Sequence, residues 1–512
     1  MAEVSRTARV IQNAKVALFF YCINLILQFF SRKIFLDYLG AELLGLNTTA
    51  QNLLQFLNLA ESGIGAAVAF ALYKPLSQKN RQEIIDIVSL QGWFYRWVGL
   101  FVIAGSIVLM AFFPWIFAKA DVPLIYAYGT FIAFLISALL GYFVNYKIVV
   151  LSADQKEYQI TLETQGIKVI KVFLQMLAIW KLPQGYVWWM VLEALSAIAI
   201  SIRLNYRVTK EYPWLRVNIS KGKILKSQYS YVIQKTRQIL YHKISGYVLT
   251  QSTPLVIYLF TSLKVVALYG NYLIISGGCL MLVDLFLKSL YAGVGNLVAE
   301  GNQDNVKRVF WHLLTLRLFV SGGICFGIFN LSTDFVRLWI GVNYVLEDLP
   351  IFIMCCIYFI QMSRTCDFFL SAYGLFQDIW APIAESFLNL SLSVLLGVLW
   401  GLPGILLGVL FSQIVIVNTW KPFFLFSKGF HENVREFIFK YTAKIILLLL
   451  TLGSTCYITR VLLTMNPEDF FEWALKAILT IFIYFFIGVS VFYLADSDFR
   501  KVMRKLTCYV VS

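Results

Sequence analysis

The chain of 512 residues is 59% apolar and only 14% charged, and it carries 43 Phe, 28 Tyr and 13 Trp; an average soluble domain has roughly 25% charged residues. This balance excludes a water-soluble enzyme, a disordered chain and a small secreted scaffold, and leaves an integral membrane protein. The net charge of +15, from 43 Lys and Arg against 28 Asp and Glu, is read as basic cytoplasmic loops rather than a nucleic-acid surface.

A spanning helix needs about 20 mostly apolar residues, and fourteen candidates follow along the chain. The first six are 14–38, 45–72, 88–113, 123–150, 158–180 and 185–206. The polar, basic start of the chain precedes the first with no small-residue cleavage site after it, so that run is read as a retained helix, not a signal peptide. A polar connection of about 30 residues follows. The next six candidates are 238–262, 265–297, 309–330, 350–373, 379–400 and 402–427, and a last pair lies at 440–463 and 471–495. Gly pairs in the second and eighth spans and Pro254 in the seventh are the natural kink sites. The fold class is therefore all-α integral membrane. The expected divisions are a first lobe at 1–206, a basic linker at 207–237, a second lobe at 238–430, and a terminal pair with a tail at 431–512.

Lys and Arg counts set the orientation. With the N-terminus inside, cytoplasmic loops receive Lys74, Lys79 and Arg81, then the stretch Arg203 to Lys243, then Lys421, Lys428 and Arg435, and finally Arg500, Lys501, Arg504 and Lys505. Arg203 to Lys243 holds ten basic residues and one acidic one, Glu211. Outer loops carry mostly single cations. Both termini are then cytoplasmic, which requires an even number of spans.

The halves echo each other. Gly63-Ile64-Gly65-Ala66-Ala67-Val68 in span two resembles Gly293-Val294-Gly295-Asn296-Leu297-Val298 in span eight, and similar polar segments follow, Ser77-Gln78-Lys79-Asn80 and Asn302-Gln303-Asp304-Asn305. An even number of helices separates them, so the repeats would be parallel, related by an axis along the membrane normal.

Polar residues inside spans mark cavities or partners. Asn24, Gln28 and Arg32 recur every four residues on one face of span one, with Lys33 beside them. Arg32 is about 24 Å along the helix from Val16, in the outer half of the membrane, where the charge rule does not explain a cation pair. An interior cavity does; the alternative is outward snorkelling or pairing with Asp37. Span two carries Asn47, Gln51, Gln55, Asn58 and Ser62 in helical register, with Glu61 adjacent. Five in register favour a hydrated path over simple interhelical hydrogen bonding. In the second half, Lys243 lies in span seven, and Asp284 and Lys288 are spaced i, i+4 in span eight as an internal ion pair. Glu163, Lys168 and Lys171 lie in span five. Arg96, Arg317, Arg364 and Asp367 are expected to snorkel.

Chemistry signals are missing. His242, His312 and His431 are far apart, and no HExxH, GxSxG or Walker A pattern occurs. Seven of the eight Cys fall inside apolar runs without metal-ligand spacing, so no disulfide framework, metal or cofactor is expected.

The motifs carry a resemblance. Leu39-Gly40-Ala41-Glu42-Leu43-Leu44-Gly45-Leu46-Asn47, Leu59-Ala60-Glu61-Ser62-Gly63-Ile64-Gly65 and Ala71-Leu72-Tyr73-Lys74-Pro75-Leu76 look like the first-lobe signature of bacterial polysaccharide (Wzx-like) flippases. These belong to the multidrug/oligosaccharidyl-lipid/polysaccharide exporter superfamily. His242-Lys243-Ile244-Ser245-Gly246, Leu268-Tyr269-Gly270-Asn271-Tyr272 and Gly295 to Gly301 are similar to the second lobe. The resemblance implies fourteen helices in two six-helix lobes plus a pair, in a bacterial cytoplasmic (inner) membrane. It implies export of undecaprenyl-pyrophosphate-linked oligosaccharide by alternating access, for O-antigen, capsule or exopolysaccharide, alongside a polymerase of the same pathway. Arg32, Lys33 and Lys243 would hold the anionic headgroup, and Asn24, Gln28, Asn47, Gln51, Gln55 and Asn58 would line the path. H⁺ or Na⁺ coupling would fall to Glu61 or Asp284, because relatives often carry an Asp in span seven where this chain has Thr253-Pro254. The alternatives are a lipid II-type flippase, a MATE-like cation or drug antiporter, and a glycan polymerase. The first shares the need for a cationic cavity, the second needs an acidic one, and the third needs a large outer loop.

Overall fold

The computed structural model describes the backbone of residues 6–511 apart from 62, 376 and 379, and describes no side chain for 6–11, 60, 235, 237–246, 250, 284–293, 296, 299 and 505–511. All regular structure among the described residues is helical. Contacts divide the chain into two units, Met1–Ala267 and Leu268–Ser512.

In the first unit, α1 (Arg6–Leu57) is broken at Gly40, whose φ of 79° and ψ of 175° belong to backbone space that is essentially Gly-only. Residues 6–39 and 41–57 are therefore separate spans. The second span breaks again. A 3₁₀ turn at Asn58–Glu61 and the left-handed Gly63 (φ 104°) lead into α2 (Ile64–Ser77). The close approach of this span to the chain at Leu263 needs a residue without a side chain, since a Cβ on Gly45 would lie 2.0 Å from the Leu263 carbonyl oxygen. Next come α3 (Arg81–Ala111), the short α4 (Phe113–Ile116), α5 (Leu124–Phe143) and α6 (Val149–Ala153). α7 (Glu157–Lys181) and α8 (Gly185–Glu211) form a hairpin that packs on α1 and α5. α9 (Gly222–Gln228) lies on α3, and α10 (Ser230–Phe260) stays helical through Pro254. α10 was expected to open the second lobe; its contacts with α1 and α2 group it with the first unit.

α11 (Leu263–Ala299) crosses the boundary between the units. The second unit continues with α12 (Gln303–Ile340), α13 (Asp348–Ser363) and α14 (Thr365–Ala372), the last two separated at Arg364. α15 (Trp380–Gln413) turns at Gly401 (φ 57°, ψ −133°), then runs through π-helical turns and α16 (Lys421–Phe424) to Phe430. α17 (Val434–Leu462), α18 (Phe470–Ala495) and α19 (Ser497–Val511) complete the chain. An aromatic core of Phe310, Phe369, Phe426, Phe430 and Phe437 joins α12, α14 and α17. α17 and α18 pack on α12, where Gly322 and Gly323 admit the Tyr484 ring and its hydroxyl donates to the Phe319 carbonyl at 2.6 Å. Small residues that let helices approach, with hydrogen bonds between them, are how spans associate where lipid removes the hydrophobic drive.

Ten described helices are long and apolar enough to cross a membrane. Two of them, Gln12–Leu57 and Trp380–Phe430, are each divided in two by Gly40 and Gly401. α7, of 25 residues, and α10, of 31, bring the spans to the fourteen expected. Each polar segment of the sequence echo supplies an Asn that caps the following span. The Asn80 side chain accepts from the Glu83 N–H at 3.3 Å, and the Asn302 side chain from the Asn305 N–H at 3.0 Å.

Candidate functional site

The first unit encloses a polar cavity of about 320 Å³ between the two arms of α1 and the α7–α8 hairpin. Its walls include Gln28 and Arg32 from the first arm, Asn47 and Gln51 from the second, Lys171 and Gln175 from α7, and Glu193 from α8. The fourfold spacing on each arm of α1 brings these polar side chains to one lining, and the break at Gly40 lets the two arms face each other. Arg32 donates to the Ala267 carbonyl at 3.0 Å. Asn47 is buried and accepts from the Tyr186 hydroxyl at 2.7 Å, which is itself 2.5 Å from the Thr130 hydroxyl. Gln28 and Gln51 are exposed. An amide exposed to hydrocarbon loses its hydrogen bonds at a cost of several kcal/mol, so this face requires water or a polar ligand.

The other expected residues are distributed as follows. Asn24 donates to the Gln165 side-chain oxygen at 3.1 Å, further along the same face. Lys33 lies outside the lining and pairs with Asp37 at 3.4 Å, both about half exposed. Gln55 lines neither this cavity nor the next one. Lys243 and Asp284 lie outside the described side chains.

Glu61 belongs to a second cavity of the same unit, about 540 Å³, which also reaches Gln91, Tyr95, Tyr142 and Glu157; Asn58 lines neither cavity. Tyr95 donates to Glu61 Oε1 at 2.5 Å and Tyr142 to Asn58 Oδ1 at 2.9 Å. The 3₁₀ turn and left-handed Gly63 place Glu61 against Tyr95. Gly65 keeps the place open, since a Cβ there would lie 3.2 Å from the Tyr95 hydroxyl and 3.3 Å from Glu61 Oε1.

Sequence reasoning noted Lys171 inside its span but missed Glu193 and the pairing of the two on the first cavity. Lys171 Nζ donates to both Glu193 oxygens, at 3.0 and 2.8 Å, and Gln175 adds a third hydrogen bond at 3.1 Å. The available signal was two charged residues of opposite sign in the middle of consecutive spans.

Elsewhere, several intramembrane charges among the described residues are paired. Arg203 and Arg207 meet Glu163 at 2.9 and 3.2 Å, Arg364 meets the buried Glu385 at 3.2 Å, and Lys476 meets Asp334 at 2.7 Å. Lys444 is buried between Asp496 and Asp498 and ties α17 to the start of α19. Arg317 does not snorkel as expected. It is buried, donates twice to the Met362 carbonyl at 2.9 and 2.7 Å, and lies 4.4 Å over the Phe368 ring. The break between α13 and α14 frees that carbonyl, and the guanidinium satisfies it.

No protein-family model matches the chain, and no curated protein matches it by sequence. Two solved structures share its fold. One, described as the lipid II flippase MurJ in an inward closed conformation, matches with a TM-score of 0.64 at 16% identity, over 94% of this chain and 99% of that one. The other, described as an inward-facing multidrug resistance MATE family transporter of the MOP superfamily, has a TM-score of 0.57 at 13% identity, over 80% of this chain and 97% of that one.

Proposed function

We propose that this chain is a membrane flippase that carries an anionic, polyprenyl-pyrophosphate-linked oligosaccharide from the inner to the outer leaflet of a bacterial cytoplasmic membrane. The observation that carries this reading is Arg32, a fixed cation inside a span, on the wall of a polar cavity shared with Gln28, Asn47 and Gln51. A pyrophosphate cannot cross hydrocarbon unpaired, and a guanidinium offers it paired, charge-assisted hydrogen bonds. The amides can take sugar hydroxyls. A cation antiporter would need the opposite charge at this place. The two similar folds, of a lipid flippase and a transporter, agree with a carrier rather than an enzyme.

On this reading the two lobes alternate access, both termini are cytoplasmic, and a polymerase of the same pathway consumes the product. Movement of an anion outward is favoured by the membrane potential by about 2.3 kcal/mol per charge per 100 mV. Any coupling cation would bind at Glu61, the carboxylate of the second cavity.

Deletion of the gene in its host is expected to leave lipid-linked oligosaccharide facing the cytoplasm and to remove surface polymer. The wild-type chain should restore export, Arg32→Ala should lower it about tenfold or more, and Lys33→Ala should restore it. Normal export by Arg32→Ala would overturn the assignment of the cavity. A second reading, a lipid II-type substrate, is favoured by the coverage of the lipid II flippase structure. Accumulation of the peptidoglycan precursor instead of polymer repeat units would select it.

A further inference from the structure

α7 is a span with two unlike faces. Its exposed apolar residues Leu162, Ile170, Phe173, Leu177 and Trp180 fall on one stripe at about 100° per residue, the side that meets lipid. Lys168, near the middle of the helix, lies roughly opposite that stripe, on a face with Thr164, Gln165, Lys171 and Gln175. Neighbouring helices ordinarily cover the inward face of a span, yet Lys168 is exposed. The first arm of α1 repeats the pattern. Phe19, Ile26 and Phe30 form its exposed apolar stripe, and Gln28, roughly opposite them, is exposed as well. These two polar residues are level with each other. Asn13 bonds the chain at Gln155 and Tyr158, and Asn24 bonds Gln165, so the two helices run side by side in the same direction. Gln28 and Lys168 follow the Asn24–Gln165 bond by four and three residues, about 6 and 4.5 Å along the axes. Among the described residues, nothing accepts a hydrogen bond from the Lys168 ammonium and no carboxylate pairs with it. The charges that act on it are Lys171 and Glu193, and those two are bonded to each other. A mid-span cation that neither pairs nor snorkels needs water around it, so the hollow between α1 and α7 at this level is hydrated.

Resting on the flippase reading above, we propose that Lys168, with Gln28 across from it, is a further anion-binding site of the first unit, where the substrate's pyrophosphate docks. Gln28 also lines the Arg32 cavity, so the two places are continuous and the headgroup passes between them without entering hydrocarbon. A lysine suits this task. Its ammonium is compact, its three donors rotate, and its stem is flexible, so it follows a moving anion instead of fixing it in a planar fork. Phosphate oxygens replace the water on the ammonium, and the Gln28 amide donates to a second oxygen. Lys171, about one turn further along α7, does not do the same, because both oxygens of Glu193 already take its ammonium. The polar stripe of α7 thus divides its labour. Gln165 joins the helix to α1, Lys171 joins it to α8, and Lys168 between them is left for the cargo.

The test is equilibrium binding of farnesyl pyrophosphate and of uncharged farnesol to the purified full-length protein in detergent, with thermal melting followed on the same samples. Lys168→Gln is expected to bind the pyrophosphate about tenfold more weakly. It should bind farnesol as the wild type does and melt no lower, because no bond within the protein is lost. Lys168→Arg is expected to keep the pyrophosphate affinity within about threefold. Lys181→Gln removes the same charge from the far end of α7, where Lys181 lies over the Trp180 ring, and should match the wild type. Unchanged pyrophosphate affinity in Lys168→Gln overturns the proposal. So does an equal loss in Lys181→Gln, which would make the effect one of net charge. A Lys168→Gln protein that melts lower and loses farnesol as well also overturns it, since the lysine would then be structural. Arg32→Gln separates the two levels. Weaker pyrophosphate binding in Arg32→Gln, with none in Lys168→Gln, removes the Lys168 site and keeps the flippase reading. A wild-type protein that does not bind the pyrophosphate, or binding that neither variant changes, removes both.

Discussion

At the scale of single residues, the membrane makes each charged side chain a question of where its partner lies. Arg317 has the most complete answer. Its guanidinium satisfies the Met362 carbonyl left open by the helix break and stacks on Phe368. Arg317→Ala is expected to cost about 3 kcal/mol, the lost charged hydrogen bonds plus an unsatisfied buried carbonyl. The purified protein should melt several degrees lower while lipid-probe binding in the first unit is unchanged. Arg32 was legible in the sequence because its fourfold spacing with Asn24 and Gln28 marks a face. Lys33 was not separable from it by composition alone, yet helix geometry separates them. Successive residues point about 100° apart, so a cavity that receives Arg32 cannot also receive its neighbour, and Lys33 pairs with Asp37 one turn on. Glu193, and its pairing with Lys171, stayed hidden for a different reason. Neither charge names its partner on its own span, and the pair depends on the hairpin that brings α7 and α8 together.

At the scale of elements, the sequence located the long helices because apolar length is a strong one-dimensional signal; α7 and α10, more polar, count as spans by length. Breaks are a weaker signal, since Gly serves both close packing and sharp turns. Pro254 was expected to kink and sits in continuous helix, while Gly40 and Gly401 divide runs that are otherwise helical. These two glycines hold backbone angles that cost an L-residue about 1–3 kcal/mol. Gly40→Ala and Gly401→Ala should therefore each lower the melting temperature in detergent. Gly453→Ala, at an exposed helical position where an added Cβ meets nothing, should leave it unchanged or raise it slightly. Equal melting of all three variants would show that the turns do not depend on glycine. The break at Gly63 matters differently, because it sets Glu61 against Tyr95 rather than reversing the chain.

At the scale of the molecule, the solvent decides what the surface can be. Phe471, Phe439, Leu494 and Tyr457 are each more than 70% exposed, and side chains of this kind recur along the flanks of most spans, an arrangement that only hydrocarbon stabilises. Polar faces such as Gln28 and Gln51 must then be interior or hydrated. The direction in which the bundle sits is expected to follow from charge, since the linker before α10 and the connections after α2 and α16 carry the cations. Fourteen spans return the chain to the side on which it began. Single cysteines introduced at Lys119 and Val342 should therefore react with a membrane-impermeant maleimide on intact cells. A cysteine at Lys221 should react only after the membrane is opened. The native cysteines described lie within apolar helices, away from a membrane-impermeant reagent, and should add little background. Reaction at Lys221 on intact cells would invert the bundle. The Arg32 side of the first cavity would then lie toward the cytoplasm, and an anion would enter there instead of leaving.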